Sequence, residues 1–132
     1  MNLLINLDVP GIPAAEAFYG DAFGLKAARR FGDDGVEMLG AAVSVYLLKK
    51  QADSTDASTV ARTCSRHWMP MHVDVAVEEL KPAFARALAA GALQEGEIRD
   101  ARWGRIAQIA DPFGHGWCLL PFVDRGYDEI TI

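Results

Sequence analysis

His72 and Asp74 stand two residues apart in the stretch MHVDVAV, and Asn6 and Asp8 stand two apart in LLINLDV. In an extended chain residues i and i+2 share one face. Each pair therefore presents a carboxylate beside an imidazole or an amide. An imidazole can ligate a metal or act as a general base, and a carboxylate can ligate or attract a cationic group. Glu37 adds a carboxylate, Tyr46 a phenol and Cys118 a thiol. No charge beside Cys118 in sequence would lower its pKa, so it reads first as a small core residue and second as a reactive thiol. Trp103 and Arg105 flank Gly104. The indole offers a wall for a planar or cationic ligand, and the guanidinium suits an anion or an acidic residue on the same sheet. His67 and Trp68 precede Met69 and Pro70, at a cavity mouth or an interface, with His67 read as a surface histidine. His115 lies in DPFGHG, where the expected roles are structural: Asp111 accepts backbone N–H groups and Gly114 turns left-handed.

The 132 residues carry a formal net charge of −5, with 51% hydrophobic and 23% charged residues. That is the balance of a globular chain with a real core. An acidic chain without a Lys/Arg run is a poor partner for nucleic acid. No apolar run reaches the roughly 20 residues of a membrane span. The two cysteines form no CxxC pair, and the opening MNLLINLDVP reads as a strand rather than a leader, so a cytoplasmic setting with reduced thiols is expected. There is no GxSxG, no P-loop and no Gly-rich dinucleotide fingerprint.

The elements that must hold these side chains occur twice. Ile5, Leu7 and Val9 alternate with polar residues, and so do Val73, Val75 and Val77. A helix follows each, over about 14–23 and 81–90, stopped by Gly24 and Gly91. Strands are expected at 3–9, 26–31, 36–39 and 43–48, then at 71–77, 93–98, 105–110 and 116–120. The first strands match at an offset of 68 residues, which marks one unit used twice. The predicted organisation is a single α+β domain over 1–132: module one 1–50, a mobile Ser/Thr/Asp-rich linker 51–66, module two 67–122 and a polar tail 123–132 that serves as an arm or partner contact. The apolar strand faces, with Phe113 and Trp117, belong to the core.

Three stretches carry a resemblance: LINLDV leading into AAEAFYGDAFGLK, MHVDVAVEEL, and WGRIAQIADPFGHGWCLL. Together they resemble the vicinal oxygen chelate superfamily, which includes glyoxalase I, extradiol dioxygenases and fosfomycin- and bleomycin-resistance proteins. The resemblance implies two βαβββ modules whose mixed sheets form a cup with the helices outside. It also implies a homodimer and a ligand held on the concave face. The family's metal enzymes place four donors there, two per module. By resemblance these positions fall on Leu4, near Tyr46, on His72 and on Cys118. Only His72 keeps a family ligand, so no metal cofactor is expected, and a divalent metal is disfavoured. The expected function is binding of a small polar or cationic molecule by Asn6, Asp8, Tyr46, His72, Asp74, Trp103, Arg105 and Cys118. Glu37 adds attraction and Trp68 stacks on the ligand. The alternative is a metal-dependent lyase or isomerase of the glyoxalase I kind, or a dioxygenase-like enzyme, using His72.

Overall fold

A computed structural model describes residues 1–57 and 59–132. The chain divides into two compact units, 1–65 and 66–132. The first contains β1 (Ile5–Val9), α1 (Ile12–Phe23), β2 (Lys26–Arg30), β3 (Gly35–Leu39) and β4 (Val45–Lys49). The second contains β5 (Val73–Ala76), α2 (Leu80–Ala90), β6 (Leu93–Ala101), β7 (Gly104–Ala110) and β8 (Gly116–Leu120). A short 3-10 turn, Gly126–Glu129, follows. Each unit is βαβββ, and each builds a four-stranded mixed sheet of the same order, β1-β4-β3-β2 and β5-β8-β7-β6. The first strand of each pairs in parallel with the last; the other pairings are antiparallel. None of the described helices is long and apolar enough to cross a membrane.

The periodicity explains the layers. In unit one Leu7, Val9, Val36, Met38, Val45 and Leu47 are buried on one sheet face, against Phe18, Tyr19 and Ala22 of α1. Phe18 and Tyr19 meet edge to face with centroids 5.0 Å apart, and burying each ring contributes about 2–3 kcal/mol. Gly24, at φ 72°, ends α1 by turning its N–H back to Gly20. In unit two Trp117, Leu119, Ala107 and Ile109 form the corresponding face, with Leu80, Ala83 and Ala87 of α2 buried on it.

Several expectations are corrected. β1 begins at Ile5 rather than Leu3, and β6 runs on to Ala101 because a bulge between Glu95 and Arg99 lets it turn and continue. Val73, Val75 and Val77 are only half-buried, because α2 lies over β7 and β8 rather than over the edge strand β5. Within the segment read as a linker, Asp53, Ser54, Asp56 and Arg62 are bonded to one another and to the rest of unit one. Asp53 and Arg62 exchange backbone bonds with partners across a short loop, and the Arg62 side chain bonds Asp8, Ser54 and Asp56. The tail folds back onto its own unit, where Phe122 and Tyr127 stack with Trp103.

Candidate functional site

In unit two the face opposite α2 carries the chemistry. β5 and β8 pair so that Asp74 lies directly across from Cys118, and β7 places Gln108 on the other side of Cys118. His72 precedes β5 and comes within 3.4 Å of Asp74. The imidazole, the carboxylate and the thiol offer ligand atoms within 4.8 Å of one another. Cys118 is buried while His72 and Asp74 are exposed. Burial, then the Asp74 charge and hydrogen bond, pushes the Cys118 thiol up to about 11. The shift favours the protonated thiol, which bonds to Asp74 and Gln108.

The same positions in unit one look different. Register makes Asn6 the counterpart of Asp74, Tyr46 that of Cys118 and Glu37 that of Gln108. Leu4 stands where unit two has His72, and it is exposed. Glu37 is buried, and Arg29 grips it with two bonds of 2.7 and 2.8 Å. Tyr46 donates its hydroxyl to Glu37 at 2.9 Å and accepts from Arg29 at 3.2 Å. Hydrogen bonding by Arg29, helped by that of Tyr46, outweighs desolvation and draws the Glu37 carboxyl down to about 2. Asp8 is held by Arg62 at 2.7 Å. Asn6 is exposed beside them.

Trp103 and Arg105 are not brought to the His72 cluster. Trp103 immediately precedes β7 and Arg105 is its second residue; the first, Gly104, bridges to Phe122 beyond the far end of β8. Arg105 shares its strand face with Ala107 and Ile109, the α2 side, and is paired with Asp100 at 2.6 Å. Trp103 is occupied by Phe122 and Tyr127. Trp68 is largely in solvent, 80% exposed. His115 and Asp111 take structural roles: the buried Asp111 carboxylate accepts the N–H of Phe113 and of His115, the Trp117 indole N–H, and faces His115 Nδ1.

Four residues at these faces escaped the sequence reading: Arg29, Arg62, Arg66 and Gln108. Arg66 bonds Glu95 at 2.8 Å and lies over Gly116, where any side chain would collide with its guanidinium. Strand register would have found Gln108, two strands from Asp74. The arginines lie in loops or on the exposed edge strand β2, where no periodicity marks them. A cleft of about 850 Å³ also opens in unit one, but on the α1 side of the sheet, spanned by the Arg30–Glu16 ion pair.

Residues 4–120 match the glyoxalase-like domain family. The chain belongs to that family. Solved structures agree on the fold of this glyoxalase-like domain. A glyoxalase-related enzyme from Fulvimarina pelagi superposes with TM-score 0.71 at 24% identity, covering 92% of this chain and 87% of that one. A fosfomycin resistance protein from Listeria monocytogenes gives 0.72 at 17%, covering 98% and 95%. A lactoylglutathione lyase from Agrobacterium tumefaciens gives 0.63 at 18%, covering 92% of each. A Mycobacterium bovis protein described as uncharacterised is 40% identical over 63 residues, 46% of this chain and 41% of that protein. The chain thus spans under half the length of the curated relatives it matches.

The family's four-donor metal arrangement does not fit these residues. Leu4 has no donor atom. Glu37 is neutralised by Arg29, and the same guanidinium, 3.2 Å from the Tyr46 hydroxyl, sets a fixed positive charge where a cation would go. Three donors remain, all on unit two, one short of the family's four.

Proposed function

We propose that this glyoxalase-like domain binds a small polar molecule on the face that carries His72, Asp74, Gln108 and Cys118, without the family's four-donor metal. The observation that carries the reading is the Arg29–Glu37–Tyr46 cluster. It ties Tyr46, near the place the resemblance gives to a family donor, into an internal ion pair. The binding face of unit two keeps exposed donors and acceptors beside a buried thiol, the mix of fixed polar groups that orients a small ligand. The acidic residues expected to draw a cation are mostly spoken for: Asp8 is paired to Arg62 and Glu37 to Arg29, which leaves Asp74.

A second reading has one specific support, the three ligand atoms of His72, Asp74 and Cys118 within 4.8 Å. Histidine, carboxylate and thiolate together suit zinc or a similar divalent ion. In that reading His72 serves a metal-dependent lyase, isomerase or dioxygenase-like reaction. Elemental analysis of purified protein separates the two. The metal-free reading expects well under one equivalent of zinc, nickel, manganese or iron, and no change in metal content for His72→Ala. One equivalent that disappears in His72→Ala would overturn it. A thermal-shift screen of small polar molecules then tests binding itself. A ligand at a hundred times its dissociation constant stabilises by about 2.7 kcal/mol, and a screen without any stabilising compound counts against the proposal.

A further inference from the structure

Resting on that reading, we infer that the molecule bound on the unit-two face carries a carboxylate, received by the Arg99 guanidinium and the Gln108 amide. The two halves of the chain supply the argument, because each has the same strand order and the same pairings. In unit one the outer strand β2 presents Arg29 on the open face, and the carboxylate of Glu37 on β3 satisfies it with two bonds, backed by Tyr46 on β4. In unit two the Glu37 position is Gln108, an exposed neutral amide. The outer strand β6 still presents a guanidinium to that face: Arg99 pairs with Ile106, two residues from Gln108 on the same side of β7. Its charge is felt at Cys118, the residue across from Gln108. Among the described residues Arg99 makes no ion pair or side-chain hydrogen bond, while Arg66, Arg105 and Arg125 each hold a carboxylate within their own unit.

Unit two does carry a carboxylate across from Gln108, Glu95 on β6, but Arg66 holds it, so Arg99 is left without one. A ligand carboxylate between Arg99 and the Gln108 Nε2–H groups would restore what Glu37 supplies in unit one, with charge-assisted bonds to a planar group. Asp74 bounds the far side of Cys118 and repels a second anion there, so the rest of the ligand that reaches Asp74 and His72 is neutral or a hydrogen-bond donor. No bond is made or broken in this inference, and Cys118 stays a thiol.

The test uses the 132-residue protein labelled with 15N and titrated separately with citrate, inorganic phosphate and choline. Proton–nitrogen spectra follow the Arg99 Nε–H and Gln108 Nε2 signals. Citrate is expected to shift both saturably, with binding at least tenfold weaker in Arg99→Gln and unchanged in Arg105→Gln. Citrate binding that survives Arg99→Gln overturns the inference, as does saturable binding of choline but not citrate at this face. Phosphate binding tighter than citrate binding through Arg99 replaces a carboxylate with a tetrahedral oxyanion and also overturns it. None of these failures touches the broader proposal, which falls only if a stoichiometric metal is found or no polar molecule binds.

Discussion

Glu37 is buried, yet its carboxyl is held near 2 against an ordinary value of 4.5, because Arg29 and Tyr46 both bond its charged form. A depressed folded pKa contributes stability that is present above about 4.5 and is lost as pH falls toward about 2. The melting temperature of Glu37→Gln should thus lie below that of the parent at pH 6 to 7, and the gap should close as pH falls through 4.5 toward 2. A gap that is constant with pH would show that the ion pair is not the source. Cys118 shifts in the other direction. With its thiol near 11, only roughly one molecule in 1,000 carries the thiolate at pH 8. A disulfide reagent at pH 8 should label Cys64, which is partly exposed, and reach Cys118 only after unfolding. Rapid labelling of both in the native protein would contradict this. The identity of these residues was legible in the sequence, but their states were not. Nothing in the order of the letters says that Arg29 reaches across to Glu37, since that contact needs the β2–β3 pairing. The preference for Cys118 as a small core residue rested on the lack of neighbouring charge. The charge that matters comes from Asp74, 44 residues away in sequence and directly opposite in space.

The elements carry their own constraints, and the turn between β7 and β8 shows how sequence pattern becomes geometry. Asp111 is buried, accepts N–H bonds from Phe113, His115 and the Trp117 indole, and faces His115 Nδ1, while Gly114 takes φ 100°. The motif was readable because Asp, Pro and Gly at these spacings have few other uses. Asp111→Ala deletes an acceptor for several donors in a buried site and is expected to destabilise by about 3–5 kcal/mol, measured by urea unfolding. A loss below about 1 kcal/mol would mean the turn holds itself without the carboxylate. The start of β7 makes a second constraint that no pattern announced. Gly104 bridges to Phe122, and a methyl group there would collide with the Pro121 carbonyl oxygen. Backbone cannot move aside as a side-chain tip can, so Gly104→Ala should cost about 1–3 kcal/mol. It should also release the Trp103–Phe122–Tyr127 stack, seen as a change in tryptophan fluorescence. The sequence pattern assigns Trp103 to the ligand and the tail to an arm or a partner contact. Each was counted as exposed because the chain segment that covers it lies beyond the range of local periodicity.

Across the whole molecule the sequence repeat was the most legible feature, because the offset of 68 residues places apolar residues at matching strand positions in both halves. What the repeat hides is the divergence of the two open faces. Unit one is internally satisfied: Arg29 with Glu37, Arg62 with Asp8. Unit two has an unpaired Arg99 and an amide in place of the glutamate. If one ancestral face closed on itself while the other stayed open to a ligand, a single substitution should convert the second into the first. Gln108→Glu places a carboxylate where unit one has Glu37. Arg99 then has an internal partner, and the new charge repels any anion that approaches. Citrate binding at this face should fall at least tenfold, as far as in Arg99→Gln. Exposed ion pairs contribute only about 0–1 kcal/mol, so the urea midpoint of Gln108→Glu should move by no more than that equivalent, and its proton–nitrogen spectrum should change only near β6, β7 and β8. Combining Arg99→Gln with the neutral Gln108→Ala tests the coupling. If the two residues act on one ligand group, the double variant binds citrate no worse than either single variant. If their effects simply multiply, they act at separate places and the two faces have diverged for some reason other than a missing carboxylate.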